Sequence, residues 1–428
     1  MKERFIQMLK EEVKPALGCT EPVAVALATA KAREILGEKV EKCIVHVSPN
    51  IYKNGMCVGI PGTERLGLTI SAAMGLVGGK SELGLKVLES LTEAQVKESE
   101  EGMDNNLVEV YPLDTKQKVV VKVVVKSASS EAEIGIEEKH DNIVYIRKND
   151  EVIKDERSAG QGTVQATSEN IFDTIRVREM IDIVDTFTEE EIGFLYDGVE
   201  MNKAIASFGL QNPVGSKVGP ALSKSFAEEK MEDSLLGRAM VWTAAASDAR
   251  MSGINMPVMS SNGSGNHGLT AILPIAAYES LKDIERIKVL RALAISHLVT
   301  AYIKSYTGRL SAVCGCGVAA ATGATAGLSY MMGLTHDQID SSIDSMIAGI
   351  SGMICDGAKS GCAVKLGMAA SAAVQSAFMA KNSGIVPVKN GIVGNTVEES
   401  IKNLGRVSDE GMRVTDEIIL SVMEKMNS

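Results

Sequence analysis

The sequence predicts an α+β protein: an N-terminal mixed α/β domain with a small sheet over residues 1–160, then a larger all-α helical domain over residues 161–428. Three observations predict it. Short, alternating β-branched segments crowd the first third of the chain, and strand signals nearly vanish after Ser158. Between the two regions, Ser158-Ala-Gly-Gln-Gly162 is a turn-prone stretch with the composition of a boundary. Aromatics make up only 4% of a chain with 40 Gly and 21 Met, which implies closely packed helices with Met filling the gaps.

The elements follow in order. Met1 to Phe5 reads as a charged amphipathic helix and lacks the basic-then-apolar layout of a secretory signal. Thr20 suits an N-cap and Gly37 a stop for a helix over 23–36. Residues 40–48 alternate as a strand with Cys43, Val45 and Val47 on one face. Thr63 is expected to cap a helix running to Gly78-Gly79, and strands are expected over 107–111, 118–125, 132–136 and 142–146. The run 119–125 is apolar apart from Lys122, as in a central strand. Helices are expected over 188–208, 233–251, 268–281, 284–306, 318–332, 336–354, 363–380 and 415–426. Residues 311–334 carry no charge and are long enough to span a bilayer, but small residues dominate and no aromatic belt flanks them, so a buried helix is expected.

A net charge of −11 disfavours a nucleic-acid partner or an anionic membrane surface. Seven cysteines, an odd number and clustered, do not suggest a disulfide framework, and a reducing cytoplasm is the expected compartment. Four of them fall in two glycine-rich turns, Cys314-Gly-Cys316 and Cys355-Asp-Gly-Ala-Lys-Ser-Gly-Cys362. Thiolate is a soft, strongly donating ligand, and glycine lets backbone N–H groups approach a metal centre. A loop between two helices can return Cys355 and Cys362 to one centre, with Cys314 or Cys316 as third ligand. No Cys-x-x-Cys zinc spacing is present. Three protein ligands on a four-iron cluster would leave one iron open to substrate. The alternatives are inert buried cysteines or redox sensing. Cys43 and Cys57 lie in strand-like regions and read as core.

Cys19 precedes an expected helix start, where the macrodipole favours an anion and lowers a thiol pKa; base, nucleophile and fourth ligand are all open roles. The polar run Ser260-Ser261-Asn262-Gly263-Ser264-Gly265-Asn266-His267-Gly268 leads into an apolar helix and suits a carboxylate or phosphate. It lacks the Gly-Lys-Ser/Thr ending of a phosphate loop. His267 is the only histidine in such a loop, whereas His46, His140, His297 and His336 read as strand, surface or helix residues.

Gly18-Cys19-Thr20-Glu21-Pro22, the 261–268 loop and the two cysteine turns together resemble the L-cysteine desulfidase family. This serine-dehydratase-like group is related to the α-chain of bacterial iron–sulfur L-serine dehydratases. The resemblance covers nearly the whole chain. It implies a 4Fe-4S enzyme that eliminates the β-substituent of an amino acid, giving sulfide, ammonia and pyruvate from L-cysteine. It implies Cys355 and Cys362 as ligands, Cys314 as the best third with Cys316 as rival, and Cys19 as the base. Ser261, Asn262, Gly263 and His267 would bind substrate. Lys359 would pair with the substrate carboxylate or with Asp356. The shorter Cys355–Cys362 spacing and the absent Ser-Ser-Ser-His loop depart from true serine dehydratases and favour cysteine over serine. An L-serine dehydratase of the same type and a non-catalytic metal- or redox-sensing protein are the competing readings. A homo-oligomer, a dimer, is expected, with a small-molecule amino acid as substrate.

Overall fold

The computed structural model describes residues 1–115, 117–157, 170–230, 234–308 and 311–427, so the expected boundary at 158–162 lies outside the described residues. The strands are β1 (Pro15–Ala16), β2 (Lys42–Val47), β3 (Val108–Pro112), β4 (Val120–Lys126), β5 (Glu131–Glu137), β6 (Ile143–Lys148), β7 (Glu151–Asp155) and β8 (Val258–Met259). Six of them form one sheet in the order β3-β2-β4-β5-β6-β7, with β2 and β3 parallel and the other pairs antiparallel. The alternation read in the sequence is realised here. Cys43, Val45 and Val47 are fully buried and stand opposite Val125, Val123 and Val121 of β4, which lies inside the sheet as its apolar run requires.

The first five helices are α1 (Lys2–Glu12), α2 (Thr20–Leu36), α3 (Pro49–Gly55), α4 (Leu68–Gly78) and α5 (Glu93–Asp104). The buried face of the sheet packs into one core with α2 and α4. Those two helices touch closely: the Thr29 hydroxyl donates to the Ala72 carbonyl at 3.0 Å, and a side chain at Gly75 would sit 2.4 Å from the Ala26 carbonyl. Two caps differ from expectation. Cys19, not Thr20, is the N-cap of α2, while Gly37 ends it with φ 70° as expected. The α4 helix starts at Leu68 behind Gly67 (φ 95°), so Thr63 caps nothing.

Beyond the sheet come α6 (Val177–Val184), α7 (Glu189–Ile192), α8 (Tyr196–Gln211), α9 (Val218–Glu228), α10 (Leu235–Met251) and α11 (Gly265–Glu279). They are followed by α12 (Arg286–Thr307), α13 (Ala321–Met331), α14 (His336–Ile350), α15 (Cys362–Lys381), α16 (Val397–Arg406) and α17 (Arg413–Asn427). Helices α10 to α13 are buried almost all round, the pattern of central helices in a bundle. The expected helix over 188–208 is broken by a 3₁₀ turn, Gly193–Leu195, between α7 and α8. The uncharged stretch at 311–334 is buried as expected, but only its middle is an α-helix, and Cys314 caps a π-helical turn, Gly315–Ala320. One described helix, α15, is long and apolar enough to cross a membrane by length and composition; it packs against α10, α13 and α14.

The ends of the chain cross between the two regions. Phe5 and Leu9 of α1 are buried in the helical core, each worth about 1.5–3 kcal/mol of apolar burial. At the other end, Leu420 of α17 packs against the sheet core and Asp416 pairs with Lys53 of α3 at 2.7 Å.

Candidate active site

One large cavity lies where the two regions meet, and the cysteine motifs converge on it. Cys19, Cys314, Cys316, Cys355 and Cys362 all line its wall, with Arg250, His267, Lys304, Lys53 and Lys365. All seven cysteines are free.

Backbone pairing places the thiols. Val313 and Ile354 form an antiparallel bridge flanked by Cys314 N–H to Met353 C=O (2.8 Å) and Cys355 N–H to Ala312 C=O (2.7 Å). This two-residue ladder sets the two cysteine turns side by side. Cys362 opens α15, with its N–H on the Lys359 carbonyl at 2.9 Å. Gly357, at φ 93°, takes the chain past the Lys53 carbonyl, which a side chain there would strike at 2.1 Å.

The thiols differ in charge preference. The Cys314 sulfur accepts a hydrogen bond from the Cys316 thiol and another from the Gly317 N–H (3.4 Å), which holds it well below the usual thiol range. The same Cys314–Cys316 bond pushes Cys316 up, and burial pushes up Cys355 and Cys362. Among the described residues, no three His, Cys, Asp or Glu side chains stand as the ligands of a single metal ion. The thiols nevertheless face one cavity and feel one another's charge. A polynuclear cluster spreads its thiolates wider than a single ion does, so this donor set fits an iron–sulfur cluster. The buried Lys304 ammonium beside the sulfurs would offset the cluster's negative charge; burial holds it down at about 8.

Cys19 reaches the cavity on a strap. β1 pairs with β8 antiparallel, Ser260 N–H donates to Lys14 C=O (2.8 Å), and Asn262 N–H donates to Glu12 C=O (3.1 Å). The Arg250 guanidinium pins the end of the strap: it donates to the Gly18 carbonyl at 2.9 Å and to the Asn266 side-chain oxygen at 3.0 Å, and it hydrogen-bonds the Cys19 thiol. Burial outweighs Arg250 and the helix start, so Cys19 lies above its ordinary pKa; this corrects the expectation of a lowered thiol.

The polar 260–268 run is a tight hairpin rather than an open loop. Ser261 and Ser264 exchange backbone hydrogen bonds at 3.1 Å across Asn262 (φ 49°) and Gly263 (φ 79°), the two-residue turn that Asn-Gly favours. Helix α11 then starts at Gly265, earlier than expected, so Asn266 and His267 occupy its first turn, where N–H groups lack helical partners. Asn262, Gly263, Ser264 and His267 line the cavity. Ser261 is buried behind them, accepting from Asn262 Nδ2 (2.9 Å) and meeting His297 Nδ1 (2.9 Å). His267 Nδ1 lies 3.1 Å from the Ser261 carbonyl. That carbonyl can only accept, so Nδ1 carries the hydrogen and Nε2 presents its lone pair. Burial and the Lys304 charge push His267 down to about 3, fixing it neutral. A side chain at Gly315 would meet His267 Nε2 at 2.5 Å and Lys304 Nζ at 3.2 Å, which explains the glycine between the two cysteines. Lys359 is not among the cavity-lining residues; it pairs with Asp356, and Lys365, also paired with Asp356, faces the cavity instead.

Arg250, His297, Lys304 and Lys53 are the site residues that motif reading missed. All four are buried, and only His297 and Lys304 leave a sequence signal, a polar group inside an otherwise apolar run.

The model of the serine dehydratase alpha chain matches residues 82–421. A UPF0597 protein from Clostridioides difficile is 56% identical over 424 residues, covering 99% of both chains. One from Alkaliphilus metalliredigens is 49% identical over 428 residues, covering 99% of this chain and 95% of the relative. Another from Parabacteroides distasonis is 40% identical over 427 residues, covering 99% and 98%. These full-length relatives extend the likeness to the Cys19 strap, and with the family match running through Cys314, Cys355 and Cys362 the chain belongs to the serine dehydratase α-chain family.

Proposed function

We propose that this protein is an iron–sulfur-dependent β-eliminating lyase that converts L-cysteine to sulfide, ammonia and pyruvate. The observation that carries the reading is the convergence of Cys314, Cys355 and Cys362 on one cavity, facing Cys19 on its strap. Membership of a lyase family supports the reaction class.

Cys314, Cys355 and Cys362 would hold a 4Fe-4S cluster, with Cys314 favoured over Cys316 because its buried sulfur already accepts the Gly317 N–H. The bound cluster supplies a Lewis-acidic iron that stabilises the leaving thiolate. Cys19 is placed to take the α-proton; burial holds its thiol above the ordinary pKa, and the Arg250 guanidinium is the contact that favours the thiolate the step requires. The first turn of α11 orients the substrate carboxylate through N–H groups, with the Asn262 side chain and Gly263 lining the same wall. His267 stays neutral and offers Nε2 as a hydrogen-bond acceptor to the substrate ammonium. Elimination leaves aminoacrylate, which hydrolyses to pyruvate and ammonia without further help.

The family's own description makes L-serine the second reading. The test is anaerobic: reconstitute with iron and sulfide, measure iron content, then follow sulfide and pyruvate from L-cysteine and pyruvate from L-serine. Equal sulfide and pyruvate from L-cysteine is the expected result. Pyruvate from L-serine alone moves the assignment to a dehydratase. A protein that takes up iron but turns over neither amino acid is a binding protein and ends the catalytic reading.

A further inference from the structure

A second cavity lies among α6, α14 and α16, separate from the cysteine motifs. Three oxygens of α14 face it without a hydrogen-bond partner: Asp340 Oδ1, Ser341 Oγ and Asp344 Oδ1. Asp344 is only 9% exposed. Residues one and four positions apart on a helix stand over one turn, so the three acceptors form a compact patch.

The neighbouring charges are already spoken for. Arg178 pairs with Asp340 through its other carboxylate oxygen at 2.7 Å and reaches Asp337 at 3.2 Å. Glu398 accepts from the Val177 N–H, Glu179 from the Arg176 N–H and Glu399 from the Asn395 N–H, each at a helix start. Lys402 turns to Asp173. Among the described residues Asp344 has no ion-pair partner, and burial, with Asp340 and Glu398 close by, pushes it up to about 6 against a hydrogen bond from Ser400. A carboxylate this buried, with one oxygen orphaned, needs a cation or a proton.

We infer that Asp340, Ser341 and Asp344 bind a compact monovalent cation, of the K⁺ or NH₄⁺ kind, in the cavity between α14 and α16. Oxygen-only donors suit a hard cation. Glu398 is engaged by the Val177 N–H, and among the described residues no three carboxylates stand as ligands of one metal ion, which selects single charge. The cation would also serve the cysteine site. Helix α14 runs directly into the loop that carries Cys355, so fixing its first turns steadies that loop.

The test uses the full chain and does not depend on turnover. Thermal unfolding is recorded in KCl, NH₄Cl and NaCl against tetramethylammonium chloride at equal ionic strength. A saturable rise in Tm of about 3 °C or more is expected with K⁺, NH₄⁺ or both, and the separate arms identify which. Asp344→Asn should abolish the rise, and Ser341→Ala should weaken it without unfolding the protein. Crystals soaked in a thallous salt should show an anomalous peak between Asp340 and Asp344. Equal Tm values in all four salts, or no thallium between those residues, overturns the inference. Because neither readout needs the iron–sulfur cluster, its failure and the failure of the lyase reading are distinguishable.

Discussion

Arg250 donates to the carbonyl of Gly18 at 2.9 Å, one residue before the thiol that the same guanidinium touches. A single side chain therefore holds the backbone of the strap and pulls the Cys19 thiol down against burial.

Replacing it separates the two effects. Arg250→Met should lower kcat by about 100-fold, the scale of a misplaced general base. Removing a charge that lowers the Cys19 pKa leaves burial unopposed, so the value moves further up. Iodoacetamide labelling of Cys19, followed against pH by peptide mass spectrometry, should shift to higher pH in Arg250→Met and be partly restored in Arg250→Lys. Labelling that follows the same pH curve in all three proteins would show that Arg250 acts on structure alone.

The Cys314–Cys316 pair makes unequal predictions. Cys314→Ala should lose most reconstituted iron and its visible absorption. Cys316→Ala removes a donor to Cys314, not the anionic sulfur, and should keep the cluster. Iron retained in Cys314→Ala and lost in Cys316→Ala would reverse the assignment.

Asn262 occupies φ 49°, where glycine is at no disadvantage. Asn262→Gly should leave Tm within about 2 °C and raise KM roughly 10-fold through the lost side-chain amide. A large fall in Tm would mean that the amide's bond to Ser261 (2.9 Å) holds the turn instead.

Asp344 gives a pH signature. Its folded pKa of about 6 lies above that of an ordinary aspartate, so it favours the fold below the ordinary value and that contribution is lost as pH rises through about 6. In tetramethylammonium buffer, Asp344→Asn should therefore stabilise the protein at pH 7.5 by about 1–2 kcal/mol and change little near pH 4. Urea denaturation at both pH values measures it.

Lys53 is 2% exposed and pairs with Asp416 at the far end of the chain. Asp416→Asn leaves that ammonium buried without its counter-charge and should cost about 2 kcal/mol in the same urea assay, the discount reflecting the partly exposed Asp416.

The sheet was legible because its strands bury one face, and period-two alternation at Cys43, Val45 and Val47 reports that directly. The cavity-lining cysteines were legible because glycine-flanked thiols are chemically unusual. Several elements left no such trace. β1 and β8 are two residues each, exist only by pairing with one another, and have no periodicity to read. The α6, α9 and α16 helices are short and were passed over among polar residues. Arg250 ends a helix, where a basic residue ordinarily answers the macrodipole, and nothing local announces that it reaches back to Gly18. His297 sits mid-helix, and only folding brings it against Ser261. Lys359 misled for the opposite reason: it stands between two ligands in sequence, yet the turn directs it to Asp356.

The crossing of the chain ends governs when the site can come into being. The partners of α1 lie beyond residue 170, the strap that carries Cys19 needs β8, and Lys53 waits for Asp416, 363 residues further along. Contacts this distant in sequence close late. A nascent chain can finish its sheet on the ribosome, but it cannot seat Cys19 opposite the three cysteines until the residues up to Cys362 have emerged. Loss of α1 would accordingly be felt at the Cys19 strap before it was felt in the sheet, because the Glu12 carbonyl at its end anchors Asn262.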